Sequence, residues 1–322
     1  MKENFAKNNL VYLPKIKIIG VGNCGINAVN TMIEKRISNV DFFVINSDKE
    51  ILALSMLDES KRIQIGEKIT NGLGTGGNPN VGKKAAEESI EKIREIVKGT
   101  DILFVINGIA GGTAGAVPLI TKLAKEQGAI NIVFAVTPAH FEGKRKTEYA
   151  DKALQKFMDE ESCIDSVINV SSERFIELVD RKSTLNDVFN LTNEEISKCI
   201  KAFVDIFHGE EGPINLRFND FKAFFKYVGF TGIGISKIHK FAEYKSAADE
   251  VMNDSLIRGS FESAKKVIIS INGGRNLMLH SIHEITEEIT NKIKNDAEVM
   301  LSVQIDKDSL SAGEFKITVI TA

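Results

Sequence analysis

Short apolar runs and helical patterns alternate along the first part of the chain. Residues 15–20 (KIKIIG) form an apolar run of strand length that ends in a Gly/Asn turn. Directly behind it, Ile26, Val29, Met32 and Ile33 recur at helical spacing. Further strands are predicted at residues 41–46 (DFFVIN), 101–106 (DILFVI) and 130–136 (INIVFAV), with a charged helix around 83–97 and another near 117–126. Strands separated by helices in this way predict an α/β domain with a parallel, doubly wound sheet and a ligand site at the carboxyl ends of its strands.

The pattern then changes character. Val188, Leu191, Ile196, Ile200, Phe203, Val204 and Phe207 predict one long helix over residues 185–208, stopping at Gly209 with Pro213 just beyond. After Pro213, helices are expected near residues 220–227, 246–253 and 282–294 and strands at 265–272 and 315–321, which is a second α+β domain. The expected division is residues 1–184 as the first domain, 185–212 as central helix and connection, and 213–322 as the C-terminal domain. There is no internal repeat or low-complexity stretch.

Composition narrows the classes. The 322 residues are 43% apolar and 26% charged with a formal net charge of -3, so no global charge argues for a nucleic-acid or anionic-membrane partner. Cys24, Cys163 and Cys199 are far apart and match no disulfide or zinc spacing, which fits a reducing cytoplasm. No apolar run is long enough to span a membrane, and residues 1–10 do not resemble a signal peptide. His280 and His283 lie three apart and read as a surface pair, so no metal site is expected. Phe218, Phe221, Phe224 and Phe225 have the spacing of a core-facing helix.

Candidate chemistry lies in three glycine-rich segments. GVGNCGINAVN holds Gly20, Gly22 and Gly25 between a strand and a helix, where absent side chains let backbone N–H groups approach an anion. Its G-x-G-x-x-G spacing also fits a dinucleotide fingerprint, but the second strand ends in Asn46, Ser47 and Asp48, without a clean acidic ribose partner. GLGTGGNPNVG, residues 72–82, has five glycines, two asparagines and a proline, and by itself also reads as a surface loop. NGIAGGTAGA, residues 107–116, again joins a strand end to a helix start and offers Gly111, Gly112 and Thr113 to a phosphate chain. Three such loops after strands of one sheet specify a nucleotide far better than one does.

These segments resemble the FtsZ family, the prokaryotic tubulin homologues that polymerise with GTP. RIQIGEKITNGLGTGGNPNVGKKAAEES is close to the family's own segment, and TPAHFEG, INGGRNLML and the terminal KITVITA follow it more loosely. The resemblance implies a tubulin/FtsZ-like α/β fold and GTP or GDP as ligand, with Mg2+ or K+ as accompanying cations. It implies that Gly20, Gly22, Asn23, Cys24 and Asn27 surround the α- and β-phosphates and that Gly74, Thr75, Gly76, Gly77 and Asn78 hold the γ-phosphate side. Gly108, Gly111, Gly112 and Thr113 would cradle the phosphates, Glu142 would contact the ribose, and Phe189 would stack on guanine, although Phe189 equally suits a helix core. The implied partner is another copy, head to tail, or another FtsZ-family subunit.

Departures from the family pattern bear on the chemistry. The signature loop, residues 110–115, is one residue short before Pro118; Lys146 stands where an arginine is expected, and Asn193 where a carboxylate toward guanine is expected. The loop residues 215–220 (NLRFND) match N-x-D-x-x-D, which in the family inserts into the next subunit's pocket to orient water. Here Arg217 replaces the first acid, leaving Asp220 with Asn215 as the candidates to orient water. Arg217 would then hold the γ-phosphate while hydrolysis is slow, act in trans as an arginine finger, or be a solvated charge. A hydrolysis-deficient relative with a regulatory or non-division role is the alternative to a dividing filament. Family members continue into a linker and a peptide that docks on membrane tethers; the sequence given stops at Ala322, which leaves open both a trimmed tail and a chain without that contact.

Overall fold

The computed structural model describes residues 12–208, 212–226, 229–254, 264–293, 296–306 and 310–322. Six strands, β1 (Ile16–Val21), β2 (Asp41–Asn46), β3 (Arg62–Gln64), β4 (Ile102–Gly108), β5 (Ile130–Thr137) and β6 (Ser166–Ser171), form one sheet in the order β3-β2-β1-β4-β5-β6. Every neighbouring pair is parallel. Both faces are covered, which is why these strands read as unbroken apolar runs. On β4, Ile102, Phe104 and Ile106 enter one core while Leu103 and Val105 enter the other.

The helices follow from the same partition. Ile26, Val29 and Met32 of α1 (Gly22–Glu34) pack on the first face, while α4 (Pro79–Glu88), α5 (Ile90–Val97) and α6 (Val117–Glu126) cover the second. The single charged helix expected over 83–97 is two helices, because Ser89 leaves helical geometry and its Oγ accepts the Gly66 N–H at 3.0 Å. Short helices α2 (Lys49–Ala53) and α3 (Glu67–Thr70) lie between β2 and α4, and α7 (Lys144–Phe157) and α8 (Ser172–Leu178) flank β6.

The long helix α9 (Leu185–His208) has the expected bounds, and its stop at Gly209 falls outside the described residues. Its inner face joins the first core, where Phe203 lies 5.3 Å from Phe104 and 6.1 Å from Phe221 between ring centroids. Phe221 belongs to α10 (Phe218–Phe224), and Phe221, Phe224 and Phe225 are buried while Phe218 packs against Phe207 and Tyr12. This bears out the core reading of the phenylalanine run. The predicted end of that helix, Tyr227, lies outside the described residues.

The remainder is a mixed sheet of β7 (Gly232–Ile235), β8 (His239–Lys240), β9 (Lys266–Gly273), β10 (Glu298–Ile305) and β11 (Glu314–Thr321), in the order β10-β9-β11-β7 with β8 on β11. Helices α11 (Tyr244–Met252) and α12 (Leu279–Thr290) cover one face through Ala247, Val251, Ile282, Ile285 and Ile289. The other face meets α9 and α10, with Ile268 and Ile320 in the first core. Helix α12 begins three residues earlier than expected, and Lys294, its predicted end, lies outside the described residues. No described helix is long and apolar enough to cross a membrane.

Candidate functional site

The strand order reverses direction between β1 and β4, and a cleft of about 580 Å³ opens there, past the carboxyl ends of the strands. Its floor is the start of α1. β1 turns into the helix at Gly22, whose φ of 72° favours glycine, and no acid occupies the first helical turn. The free N–H groups and positive end of the helix dipole therefore face the cleft uncompensated. Gly20 stands behind this lining: a Cβ there would lie 2.3 Å from the Gly25 carbonyl oxygen, so its small size lets β1 and α1 meet.

The second and third glycine segments interlock across the cleft. A Cβ on Gly112 would sit 2.0 Å from Thr75 Oγ1, so this glycine admits the neighbouring loop and does not itself line the cleft. Asn78 is also set back, accepting the Asn80 N–H at 3.0 Å as the cap of α4 with Pro79 in the first turn. Gly74, Thr75, Gly76, Gly77, Gly108, Gly111 and Thr113 line the cleft. The Thr113 hydroxyl donates to Asn46 Oδ1 at 3.3 Å, and that same oxygen accepts the Ser47 and Asp48 N–H groups at 2.8 and 3.3 Å. One asparagine thus joins the end of β2 to the third loop.

The remaining wall comes from the turn before α7, the start of α7, and α9. Glu142 accepts the Ala139 N–H at 3.0 Å and pairs with Lys146 Nζ at 2.9 Å. Phe189 and Asn193 sit one turn apart on α9 and both face the cleft. Phe189 is 42% exposed, which removes the helix-core reading and leaves an aromatic face open to a ligand. Asn23, Cys24 and Asn27 complete the lining. Burial first, and the charge of Glu142 second, push the Cys24 thiol up to about 12, so it is a neutral neighbour for an anion.

Concave backbone loops, an unopposed helix N-terminus and a half-exposed aromatic ring suit a phosphorylated ligand carrying an aromatic base, and the volume is ordinary for such a site. Among the lining residues, Ser172 and Thr192 had no sequence motif to mark them, and Asn46 and Asp48 were met only as the end of the second strand. Only their place at the carboxyl end of a strand or beside the long helix could have done so. Among the described residues no cluster of metal-ligating side chains occurs, and His280 and His283 lie on the exposed side of α12 near Glu284 and Glu287.

Asn215, Arg217 and Asp220 do not line this cleft. All three are exposed, and their neighbours fix their position. Lys222 reaches the Gly128 carbonyl at 3.5 Å, just before β5, while Phe218 packs against Tyr12, whose hydroxyl donates to Asp101 just before β4. The loop therefore lies at the amino-terminal edge of the sheet, a strand length of roughly 25 Å from the cleft. Asn215 is closed onto Gly212 by two hydrogen bonds, and Asp220 accepts the Arg217 N–H at 3.2 Å.

Comparison with known proteins adds the lineage. Residues 15–180 match the Tubulin/FtsZ family, GTPase domain, and residues 229–322 match the FtsZ family, C-terminal domain. An empty FtsZ dimer from M. jannaschii superposes with a TM-score of 0.82 at 27% identity, over 96% of this chain and 88% of that one. CetZ2 from Haloferax volcanii, solved as a GTPγS-bound protofilament, shares the fold with a TM-score of 0.80 at 17% identity, over 95% and 92% of the two chains. CetZ1 from the same organism, a GDP-bound monomer, gives 0.80 at 19% identity, over 95% and 93%.

Proposed function

The chain belongs to the tubulin/FtsZ family, and on that premise we propose that it binds GTP and GDP in the cleft and polymerises head to tail into filaments. The observation that carries this proposal is the separation of the two half-sites. The cleft lies at one edge of the sheet and the loop Asn215 to Asp220 at the other, so they meet only when a second copy stacks on the first. A heterologous contact of that kind does not close and generates a filament. The M. jannaschii FtsZ dimer and the CetZ2 protofilament support self-association as the habit of this fold.

In this proposal residues 1–184 hold the nucleotide, 185–212 connect, and 213–322 complete the next subunit's site. Asp220, with Asn215, orients the attacking water, and Mg2+ or K+ accompanies the nucleotide. Hydrolysis is slow, because a guanidinium at position 217 cannot take a proton and Asp220 already accepts the Arg217 N–H. The role is a cytoplasmic filament in cell division, alone or with other family subunits.

The exposed Arg217 favours one second hypothesis: a specialised relative that binds nucleotide and forms regulatory or non-division filaments without turning it over. Sedimentation with GTP and with a non-hydrolysable analogue tests the proposal. Pelleting with both is expected; a protein that binds GTP yet pellets with neither is not a filament former.

A further inference from the structure

Each pole of the fold carries a charge without a counter-ion. Asp48, at the end of β2, lines the cleft beside Gly74, where a Cβ would lie 3.4 Å from its Oδ2. Its Oδ1 caps α2 by accepting the Ile51 N–H at 3.0 Å, but no Lys, Arg or His nitrogen of the described residues lies within 4.0 Å of the carboxylate. The cleft's other acid, Glu142, is already paired with Lys146. A site shaped for an anion thus retains an uncompensated negative charge, which repels that anion until a cation arrives.

At the opposite pole Arg217 is exposed, and its guanidinium has no ion pair among the described residues. Leu216, only 8% exposed, anchors the loop in the core immediately before it. We propose that in the head-to-tail contact Arg217 of one copy enters the next copy's cleft and pairs with Asp48, bridging that carboxylate and the terminal phosphate when one is bound. This rests on the head-to-tail reading above. The fork of five N–H donors serves a carboxylate and a phosphate oxygen together, which a lysine ammonium does less well. Because the Asp48 carboxylate stays when the phosphate leaves, filament cohesion is carried by protein charge and persists with GDP.

Sedimentation of the full chain with GTP, with GDP and in EDTA tests the pair, using Asp48→Arg, Arg217→Asp and the combined charge swap. Wild-type protein is expected to pellet with either nucleotide and in EDTA. Each single variant should raise the critical concentration more than about tenfold, and the swap should recover most of that loss. Single variants that pellet like wild type, or wild-type pelleting that requires Mg2+ and GTP, would overturn the pair.

An arginine at position 48 also meets the nucleotide, so a second measurement is independent of it. In a Cys24→Ser background, which removes the native thiol lining the same cleft, Asp48→Cys combined with Arg217→Cys, held above its raised critical concentration and treated with a short bis-maleimide, should give a ladder of covalent oligomers that neither single variant gives. Pelleted protein without a ladder overturns the pair alone. Wild-type protein that never pellets overturns the head-to-tail reading, and the pair falls with it.

Discussion

The two poles of this molecule are built differently. At the cleft, backbone carries the recognition: interlocked glycine loops, a bare helix N-terminus and an asparagine joining two strand ends are all held by contacts within one chain. At the opposite pole, side chains are presented outward on a short anchored loop, with their remaining hydrogen bonds satisfied locally. On the proposed reading, binding needs only the monomer, while the loop's contribution needs a neighbour. Changes in the cleft should alter nucleotide affinity at any dilution, and changes in the loop should act only where copies meet.

The sharpest contrast is expected from Asp220→Asn, which keeps a residue able to cap α10 but removes the remaining acid. Phosphate release by assembled protein should fall about 100-fold with pelleting retained. Equal turnover in the variant would remove Asp220 from the chemistry. Gly112→Val is the counterpart at the cleft, since the added carbon would collide with Thr75 and with the Asn78 N–H. Separating the two loops should weaken binding of a fluorescent GTP analogue by roughly 10- to 100-fold, at all protein concentrations. Unaltered affinity would mean the interlock is not what shapes the site.

Smaller effects refine the same division. Glu142→Gln breaks the pair with Lys146 but keeps an acceptor for the Ala139 N–H, so nucleotide affinity should drop only about threefold to tenfold in a titration of dilute monomer. The smallest effect concerns Cys24. Its folded-state value, about 12, lies above the ordinary 9.0, so its contribution to stability is full below pH 9 and is lost as pH rises toward 12. Iodoacetamide labelling of Cys24, followed by mass spectrometry, should be slow at pH 8 and climb steadily above pH 9. Rapid labelling at pH 7 would show a thiolate that this environment does not favour.

Elements buried on two sides were legible as sequence. β1, β2, β5 and α9 are apolar runs or stripes because both sheet faces, or one long helix face, are covered. Helix α7 was not legible, since only Ala150 and Phe157 are buried in fourteen largely charged and polar residues. Strands β6, β7 and β10 were missed because their apolar runs are broken or brief: β6 (SVINVS) is interrupted by the exposed Asn169, β7 has four residues with alternating glycines, and β10 opens on exposed and half-buried residues.

Of the site, the glycine loops were visible because no regular element tolerates their composition. Asn46 and Asp48 were not, since an ordinary polar pair at a strand end gains its meaning only from the pairing of β2 beside β1. The resemblance implies Gly20 and Gly112 as phosphate contacts, and the structure adds a packing reason for glycine at both positions. That reason depends on which backbone lies opposite, and local sequence does not contain it. The distance between cleft and loop was equally hidden, because it follows from how α10 docks under the sheet.

The decisive measurement is GTP turnover per subunit as a function of protein concentration, with sedimentation followed in parallel. If the two half-sites meet only between copies, phosphate release is near zero in dilute protein, though GTP is bound. It then rises, slowly, above the concentration at which pelleting begins. A rate per subunit that stays constant down to dilute monomer would contradict the account, because a single chain would then hold a complete active site.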